Sequence, residues 1–391
     1  MISFLFLRRS FVLFGALLLS VAACVDPYEP SLTLTAEVLV VDGTITDRAE
    51  KQTVKIGRSR VFNRNSTSTV AVRSAQVEVL VNGAQAVKLN ESTLTPGTYE
   101  LPDGFRGQAG ARYQLRFQLS DGKRYESLVE TLPTGPKIGK VYDQFDSRGI
   151  ANAERTRFTP ANLIYVDTQD PAGERNFYRW QWTLWEQQAY CASCQRGIFI
   201  TTNPLTGDGR CQTDNSLPPD NFFDYDCISP CWDIIQGVEL NLFTDVYGNG
   251  RPITGRLVAK IPFYEQQAAL VEIRQYALTP GAYRYFKLFE DQTQNTGGLA
   301  DTPPAPIVGN VRSLDASSEN VVGYFSASSV SSIRYWLDRQ NTSGRSIGLL
   351  AALFGHPPNP EPSTPLPPRP PSARCVPGET RTPIKPEGWL R

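Results

Sequence analysis

Short apolar runs that alternate with polar residues limit the fold of this chain more than any other feature. Between residues 34 and 132 such runs recur, and Asn82-Gly83 and Asp121-Gly122 close two of them. A period of two is typical of strands with one buried face, and Asn-Gly and Asp-Gly pairs favour the tight turns of antiparallel hairpins. About seven strands fit this stretch, which predicts an immunoglobulin-like or transthyretin-like β-sandwich over residues 24–135.

A larger β-rich region is predicted over residues 136–350, with one or two helices. A helix is expected from Thr279-Pro280, which supply an N-cap and a first-turn proline, to about Thr293. The patterning of both regions indicates a mainly β protein. Strand-like runs in the larger region lie at residues 163–166, 177–185, 240–243, 257–261 and 271–276.

The aromatic run of the second region leaves two interpretations open. In a strand, Trp180 and Trp182 share one face. Arg179, Gln181 and Thr183 share the other. The aromatic face either packs into a core or forms a stacking platform for sugars or another flat ligand. The candidate ligand contacts are therefore Trp180, Trp182, Trp232 and Tyr324, with core packing as the alternative for each.

The first 23 residues have the form of a secretory signal. Arg8 and Arg9 precede an apolar run of 13 residues, from 11 to 23, which is too short to span a membrane. Small residues then lead into Cys24, and this resembles the lipobox of bacterial lipoproteins. We expect lipidation of Cys24 and attachment to the outer membrane, at the cell surface or the periplasmic face.

Six cysteines remain once Cys24 is set aside. Export to an oxidising compartment favours three disulfides. Five of the six lie between residues 191 and 231, so complete pairing requires one of them to bridge to Cys375. Zinc ligation and a thioredoxin-like redox pair at Cys191 and Cys194 are the alternatives. The six are Cys191, Cys194, Cys211, Cys227, Cys231 and Cys375.

The tail at residues 351–391 is predicted to be a strap. It contains 12 prolines between His356 and Arg391, a density that excludes a helix and a central strand. A loose linker is the alternative, but a bridged Cys375 and the terminal Trp389 favour a segment held against the protein.

Composition argues against several classes of function. Lys+Arg and Asp+Glu balance at 39 each, so we expect no nucleic-acid partner. The single histidine, His356, lies beside two prolines and looks too flexible for a catalytic base or a multi-histidine metal site. We therefore predict no catalytic residue, no metal site and no cofactor. Asp245 and Asn249 fit a hairpin turn better than a calcium loop, and the proximity of Asp167 and Asp170 is expected by chance.

Five stretches of the chain carry a resemblance to a known family. They are Cys24-Val25-Asp26-Pro27-Tyr28-Glu29-Pro30, 39–47, 297–311, 321–328 and Lys385-Pro386-Glu387-Gly388-Trp389. They are similar to the DUF4249 family of uncharacterised Bacteroidota lipoproteins. The resemblance covers essentially the whole mature chain, although Ala300 stands where relatives tend to have an aromatic residue. It implies a TonB-dependent outer-membrane receptor as partner, because relatives are commonly encoded beside such receptors. It implies no catalytic residue.

The middle of these segments predicts a rigid loop that serves packing or recognition. Pro303, Pro304 and Pro306 fix extended backbone, and Gly309-Asn310 allows a turn with positive φ. The sequence as a whole favours a lipid-anchored binding or accessory protein of the cell envelope with an unknown ligand. A structural or adhesion module and a carboxylate-based glycan hydrolase are the alternatives.

Overall fold

A computed structural model of the protein describes residues 37–63, 66–293, 307–315, 321–362 and 371–390, without the side chains of 60–63 and 66–68. The chain divides into two compact units, Met1–Glu37 with Arg60–Ser68 and Val38–Ser59 with Thr69–Arg391. In the first unit, only Glu37 and the backbone of residues 60–63 and 66–68 are described. The described side-chain contacts therefore lie within the second unit. The predicted signal segment and Cys24 fall outside the described residues.

Strands dominate the described residues, which confirms a mainly β fold. The first nine are β1 (Val38–Thr46), β2 (Thr53–Asn63), β3 (Ser66–Ala71), β4 (Gln76–Val81), β5 (Gln85–Glu91), β6 (Thr98–Glu100), β7 (Arg112–Gln118), β8 (Arg124–Ser127) and β9 (Glu130–Thr131). The others are β10 (Ile138–Ala151), β11 (Phe158–Gln169), β12 (Phe177–Gln187), β13 (Tyr190–Gln195), β14 (Gly197–Asn203), β15 (Asp208–Thr213), β16 (Phe222–Asp226), β17 (Trp232–Gln236), β18 (Asn241–Thr244), β19 (Pro252–Pro262), β20 (Ala269–Ala277), β21 (Val311–Ser313), β22 (Val321–Ser328), β23 (Val330–Leu337) and β24 (Arg381–Thr382).

Among the described residues, two helices interrupt the strands, α1 (Pro280–Thr293) and α2 (Leu349–Phe354). The first was predicted from its cap, and Thr279 Oγ1 does accept a hydrogen bond from the amide of Ala282 at 3.1 Å. That bond satisfies one of the free amides of the first helical turn. Within the part of the chain that the structure describes, neither helix is long and apolar enough to cross a membrane.

The N-terminal sheet is completed by two late strands. Its strands follow the order β21-β8-β7-β4-β5-β6-β2-β1-β22. β1 pairs antiparallel with β2 and parallel with β22, from Leu39 opposite Val321 to Thr46 opposite Ser328. The predicted division at residues 135/136 stays a prediction, but the sheet of the first region takes strands from the second.

The second region places one sheet against another. Strands β10, β11 and β19 form a three-stranded sheet, and β23-β20-β12-β17-β24 form a larger one, with β18 also paired to β12. Ile164 and Ile261 from the small sheet share a core with Trp180, Leu184 and Ile273 from the large one. Burial of these side chains is the main force that holds the two layers together.

The described part of the family-like loop, residues 307–311, has a packing role. The Asn310 side chain accepts from the amide of Phe325 at 2.9 Å and donates to its carbonyl at 2.7 Å. At Gly309 a Cβ atom would lie 1.7 Å from the carbonyl oxygen of Gly323. The expected positive φ occurs at Gly323 (φ +98°) and not at Gly309 or Asn310. Close approach of two backbones, rather than a left-handed turn, therefore requires the glycine at 309.

The tail behaves as the predicted strap over its described residues. β24 pairs with β17, and the Arg381 guanidinium donates to Asp233 Oδ1 at 2.6 Å. Trp389 is buried against Trp232, with ring centroids 5.8 Å apart. These contacts hold the end of the chain on the edge of the large sheet.

Candidate functional site

The aromatic face of β12 belongs to the core. Trp180 is 1% exposed, and its indole nitrogen donates to Gln275 Oε1 at 3.1 Å. Trp182 is half-buried against the same core. The core interpretation of this face therefore holds for Trp180, and only Trp182 keeps surface that a ligand could reach.

The other two candidate contacts are also buried. Trp232 lies with Leu270 and Trp389 in a small apolar cluster. Tyr324 donates its hydroxyl to Glu130 Oε1 at 2.7 Å, and Thr279 donates to Oε2 of the same carboxylate at 2.5 Å. Burial raises the pKa of Glu130 above its usual value, and these hydrogen bonds offset only part of the rise. Glu130 thus ties both the start of α1 and Tyr324 to β9, and the buried Tyr324 presents no face for a ligand.

The polar face of β12 lines a groove instead. Arg179 stands opposite Tyr276 on β20, and Gln181 stands opposite Arg274. These side chains line two adjoining cavities that share Gln181 and Tyr276, a first cavity of about 300 Å³ and a second of about 270 Å³. We call the two together the groove. The first cavity is also lined by Asp42, Gly43, Thr44, Thr46, Glu50, Lys51, Gln52, Thr53 and Lys55, and the second by Trp182, Thr183, Trp185, Ile234, Gln236, Gly237, Glu272 and Glu379.

Arg179 forms the inner wall of the first cavity. Its side chain is 9% exposed, and the guanidinium carbon lies 4.8 Å from the ring centre of Tyr276 and 4.4 Å from that of Phe286. Burial lowers the pKa of Arg179, yet an arginine stays protonated at neutral pH. Asp42 is exposed to solvent at this cavity. Partial loss of hydration next to the surrounding protein raises the pKa of Asp42, although the positive charges of Arg179 and Lys55 act to lower it. The cavity therefore has a cationic wall and two carboxyl groups, Asp42 and Glu50, of which Glu50 pairs with Arg274.

The second cavity has a paired charge and an aromatic edge. Arg274 donates to Glu272 Oε2 at 2.9 Å and to Glu50 Oε1 at 2.7 Å, so its guanidinium is already neutralised. A Cβ atom on Gly237 would lie 2.4 Å from the indole nitrogen of Trp182. The glycine lets the chain pass closely over that ring, which together with Trp185 gives the cavity its apolar surface.

All six described cysteines pair into three disulfides, as predicted. The bridges are Cys191–Cys227, Cys194–Cys211 and Cys231–Cys375, so the strap is tied to the chain directly before β17. Three of the sulfur atoms, from Cys191, Cys231 and Cys375, lie within 4.8 Å of one another. Each is already in a disulfide, whereas zinc takes thiolates, so this grouping favours bridges over the zinc alternative.

His356 is not the flexible residue that the sequence suggested. Its ring stacks on Phe222 with centroids 4.2 Å apart, and its Nε2 lies 3.1 Å from Ser193 Oγ. Its Nδ1 lies 3.6 Å from Asp224 Oδ2. The sequence does not indicate this grouping, because 163 positions separate Ser193 from His356 and no local pattern marks either residue.

The serine, aspartate and histidine do not form an activated nucleophile. The Ser193 hydroxyl donates to Asp224, so its proton points at the carboxylate and not at the imidazole, which a serine nucleophile requires. The second oxygen of Asp224 accepts from the amide of Asn359 at 2.8 Å. The grouping fastens the strap to β13 and β16.

The residues of the candidate calcium and carboxylate groupings accept structural hydrogen bonds. Asn249 Oδ1 accepts from the amide of Gly173 at 3.0 Å, and residues 246–250 form a turn. It is not the expected hairpin turn, because β18 pairs with β12 and β19 pairs with β11. Asp245 Oδ2 accepts from the Asn176 amide group at 3.3 Å. Asp167 Oδ1 accepts from the amide of Gly255 at 2.8 Å. Asp170 accepts from the hydroxyl of Tyr178 at 2.6 Å and from the amide of Gly250 at 2.8 Å.

Comparison with known proteins gives a family and no activity. No curated protein matches the chain. The model of the family described as "Domain of unknown function (DUF4249)" matches residues 25–334, which include the N-terminal sheet and all groove residues except Glu379. The chain belongs to the DUF4249 family.

Proposed function

We propose that the protein is a ligand-binding accessory protein of the cell envelope. It is anchored to the outer membrane through a lipid on Cys24, captures a small polar ligand in the groove, and partners a TonB-dependent receptor. One observation carries the ligand-binding part, namely that the polar face of β12 and β20 borders two adjoining cavities instead of a core. The lipid anchor and the receptor rest on the sequence and on the family resemblance.

The construction of the groove favours binding over a purely structural or adhesive role. Its floor consists of residues on paired strands, and Glu379 at its edge lies four positions after the bridged Cys375. A site on such elements loses little conformational freedom when a ligand enters. Charged side chains around water-accessible cavities have no role in a purely structural module. In a binding site, such polar groups fix the orientation of the ligand.

Co-purification tests this function. Tagged full-length protein is extracted from membranes, its partners are identified by mass spectrometry, and small molecules retained under native conditions are weighed. We expect a β-barrel receptor and a retained small molecule. Gln181→Trp fills the point that the two cavities share and should remove the small molecule, whereas Leu94→Trp, at a side chain 92% exposed, should change nothing.

Two outcomes contradict the proposal. Absence of both receptor and retained ligand favours the structural or adhesion module. Turnover of a glycan by the purified protein favours the hydrolase, and loss of that turnover in Gln181→Trp places it in the groove.

A further inference from the structure

Arg179 differs from Arg274 and Arg339, two other arginines around the large sheet. Arg274 pairs with Glu272 and Glu50, and Arg339 makes a bidentate pair with Glu186 deep in the core. Among the described residues, by contrast, the Arg179 guanidinium has no ion pair. Its buried Nε also has no hydrogen-bond partner, as is true of the Nε atoms of Arg256 and Arg339. A guanidinium is rarely buried in proteins unless it is paired, so this one calls for an explanation.

The aromatic rings around Arg179 do not replace an anion. Tyr276 and Phe286 stack on the guanidinium and offset part of the cost of its burial. Their faces offer no acceptor in the plane of the N–H groups, and that plane is where a carboxylate or a phosphate binds through two parallel hydrogen bonds. The rings therefore hold the guanidinium in place and leave its donors for another group.

The charges around the first cavity leave room for one anion. Lys51 pairs with Glu100 at 2.6 Å, and Glu50 is taken by Arg274. Arg179, Lys55 and Asp42 remain, and in the described residues none of these three has an ion pair. Two positive charges and one negative charge sum to +1, so a single bound anion neutralises the cavity.

We propose that Arg179 binds the carboxylate or phosphate group of a small ligand in the first cavity. This deepens the proposed function and rests on it, because it assigns the ligand class of the same groove. A volume of about 300 Å³ limits the ligand to a small metabolite. Lys55 adds a second positive charge, and Asp42 is placed to accept from a donor group on the same molecule.

Calorimetric titration of the full mature chain tests this proposal. The probes are succinate and inorganic phosphate, with the uncharged succinamide as the matched control. We expect saturable binding of one or both anions, weakening with added salt, and no binding of succinamide. Stronger binding of succinate than of phosphate identifies a carboxylate ligand, and the reverse order identifies a phosphate ligand.

Substitution at Arg179 then assigns the binding to the guanidinium. Arg179→Met should weaken binding by about a hundredfold and Arg179→Lys by about tenfold, because lysine keeps the charge but not the planar fork. Arg312→Met removes an arginine that pairs with Glu126 and does not line the cavity, and it should leave binding within about twofold. The lysine variant and circular dichroism keep the test valid if the methionine variant folds poorly.

Some results would overturn the proposal. They are no saturable binding of either anion up to about 10 mM, equal binding of succinamide, or unchanged affinity in both Arg179 variants. If the receptor and a retained neutral molecule still co-purify in that case, the proposed function stands and only the anionic ligand class is wrong.

Discussion

Removal of the Cys231–Cys375 disulfide should destabilise the protein more than removal of either other bridge. The bridged residues are 144 positions apart, compared with 36 for Cys191–Cys227 and 17 for Cys194–Cys211. Both shorter bridges lie outside the segment between 231 and 375, so no other cross-link shortens this loop in the unfolded chain. Its closure therefore removes the most conformational entropy from the unfolded state.

The chain-entropy model gives the size of the effect. A separation of 144 residues corresponds to about 5 kcal/mol of unfolding free energy, and one of 17 residues to about 3 kcal/mol. The double variant Cys231→Ala with Cys375→Ala should thus lose about 2 kcal/mol more than Cys194→Ala with Cys211→Ala. Packing acts in the same direction, because Cys231 and Cys375 are both buried whereas Cys211 is exposed.

Urea unfolding followed by tryptophan fluorescence measures this difference. Trp232 and Trp389 lie together where the strap meets the sheet, so their emission reports its release. Limited proteolysis of the folded variants should also show faster cleavage within residues 376–390 for the Cys231 variant alone. Equal or greater loss of stability in the Cys194 variant would refute the reasoning from loop length, as would an unchanged cleavage rate of the strap.

Three further predictions follow from sequence and structure. Intact mass of the membrane-extracted protein should show a lipidated Cys24 as the mature N-terminus, and an unmodified Cys24 or a different first residue contradicts this. Gly323→Ala places a Cβ 1.9 Å from the Val41 carbonyl oxygen and should lower the free energy of unfolding in urea by about 2 kcal/mol or more. The control Gly104→Ala (φ +76°), with nothing within 4 Å of its Cβ, should lower it by about 1 kcal/mol. Equal losses in the two variants refute the steric argument. Burial raises the folded-state pKa of Glu130 above its usual 4.5, so the folded state binds more protons, and stability falls as pH rises from about 4.5 through the folded pKa. Glu130→Gln should flatten the dependence of the unfolding temperature on pH in this range. An unchanged slope contradicts the assignment to Glu130.

Local patterns in the sequence predict many of the strands and the first helix. The strand runs from 163 to 276 and the capped helix at Thr279 depend on residues close together in the chain, and the structure contains them. Which strand pairs with which depends on distant segments. The parallel pairing of β1 with β22 is of this kind, and no turn signal connects the two.

The site could be predicted only in part, for a related physical reason. Alternation in β12 separates Trp180 from Arg179, but it does not say which face the rest of the protein covers. Large aromatic rings suggested a ligand platform, whereas a second sheet covers them and leaves the polar face next to the cavities. The same limit applies to His356. It lies next to Ser193 and Asp224 only because the strap that carries it packs against β13 and β16.

The groove owes its polar character to the way its walls are held. β12 directs its apolar side chains into the core shared with the small sheet, so hydrophobic burial is satisfied on one face and the other is free to carry charge. β1 and β2 bound this face at one end, and the disulfide-tied strap bounds it at the other. Because strand pairing and covalent bonds fix both boundaries, the position of Arg179 does not depend on an ion pair with a carboxylate. A cation held in this way binds an anion with little reorganisation, which is the property that a capture site requires.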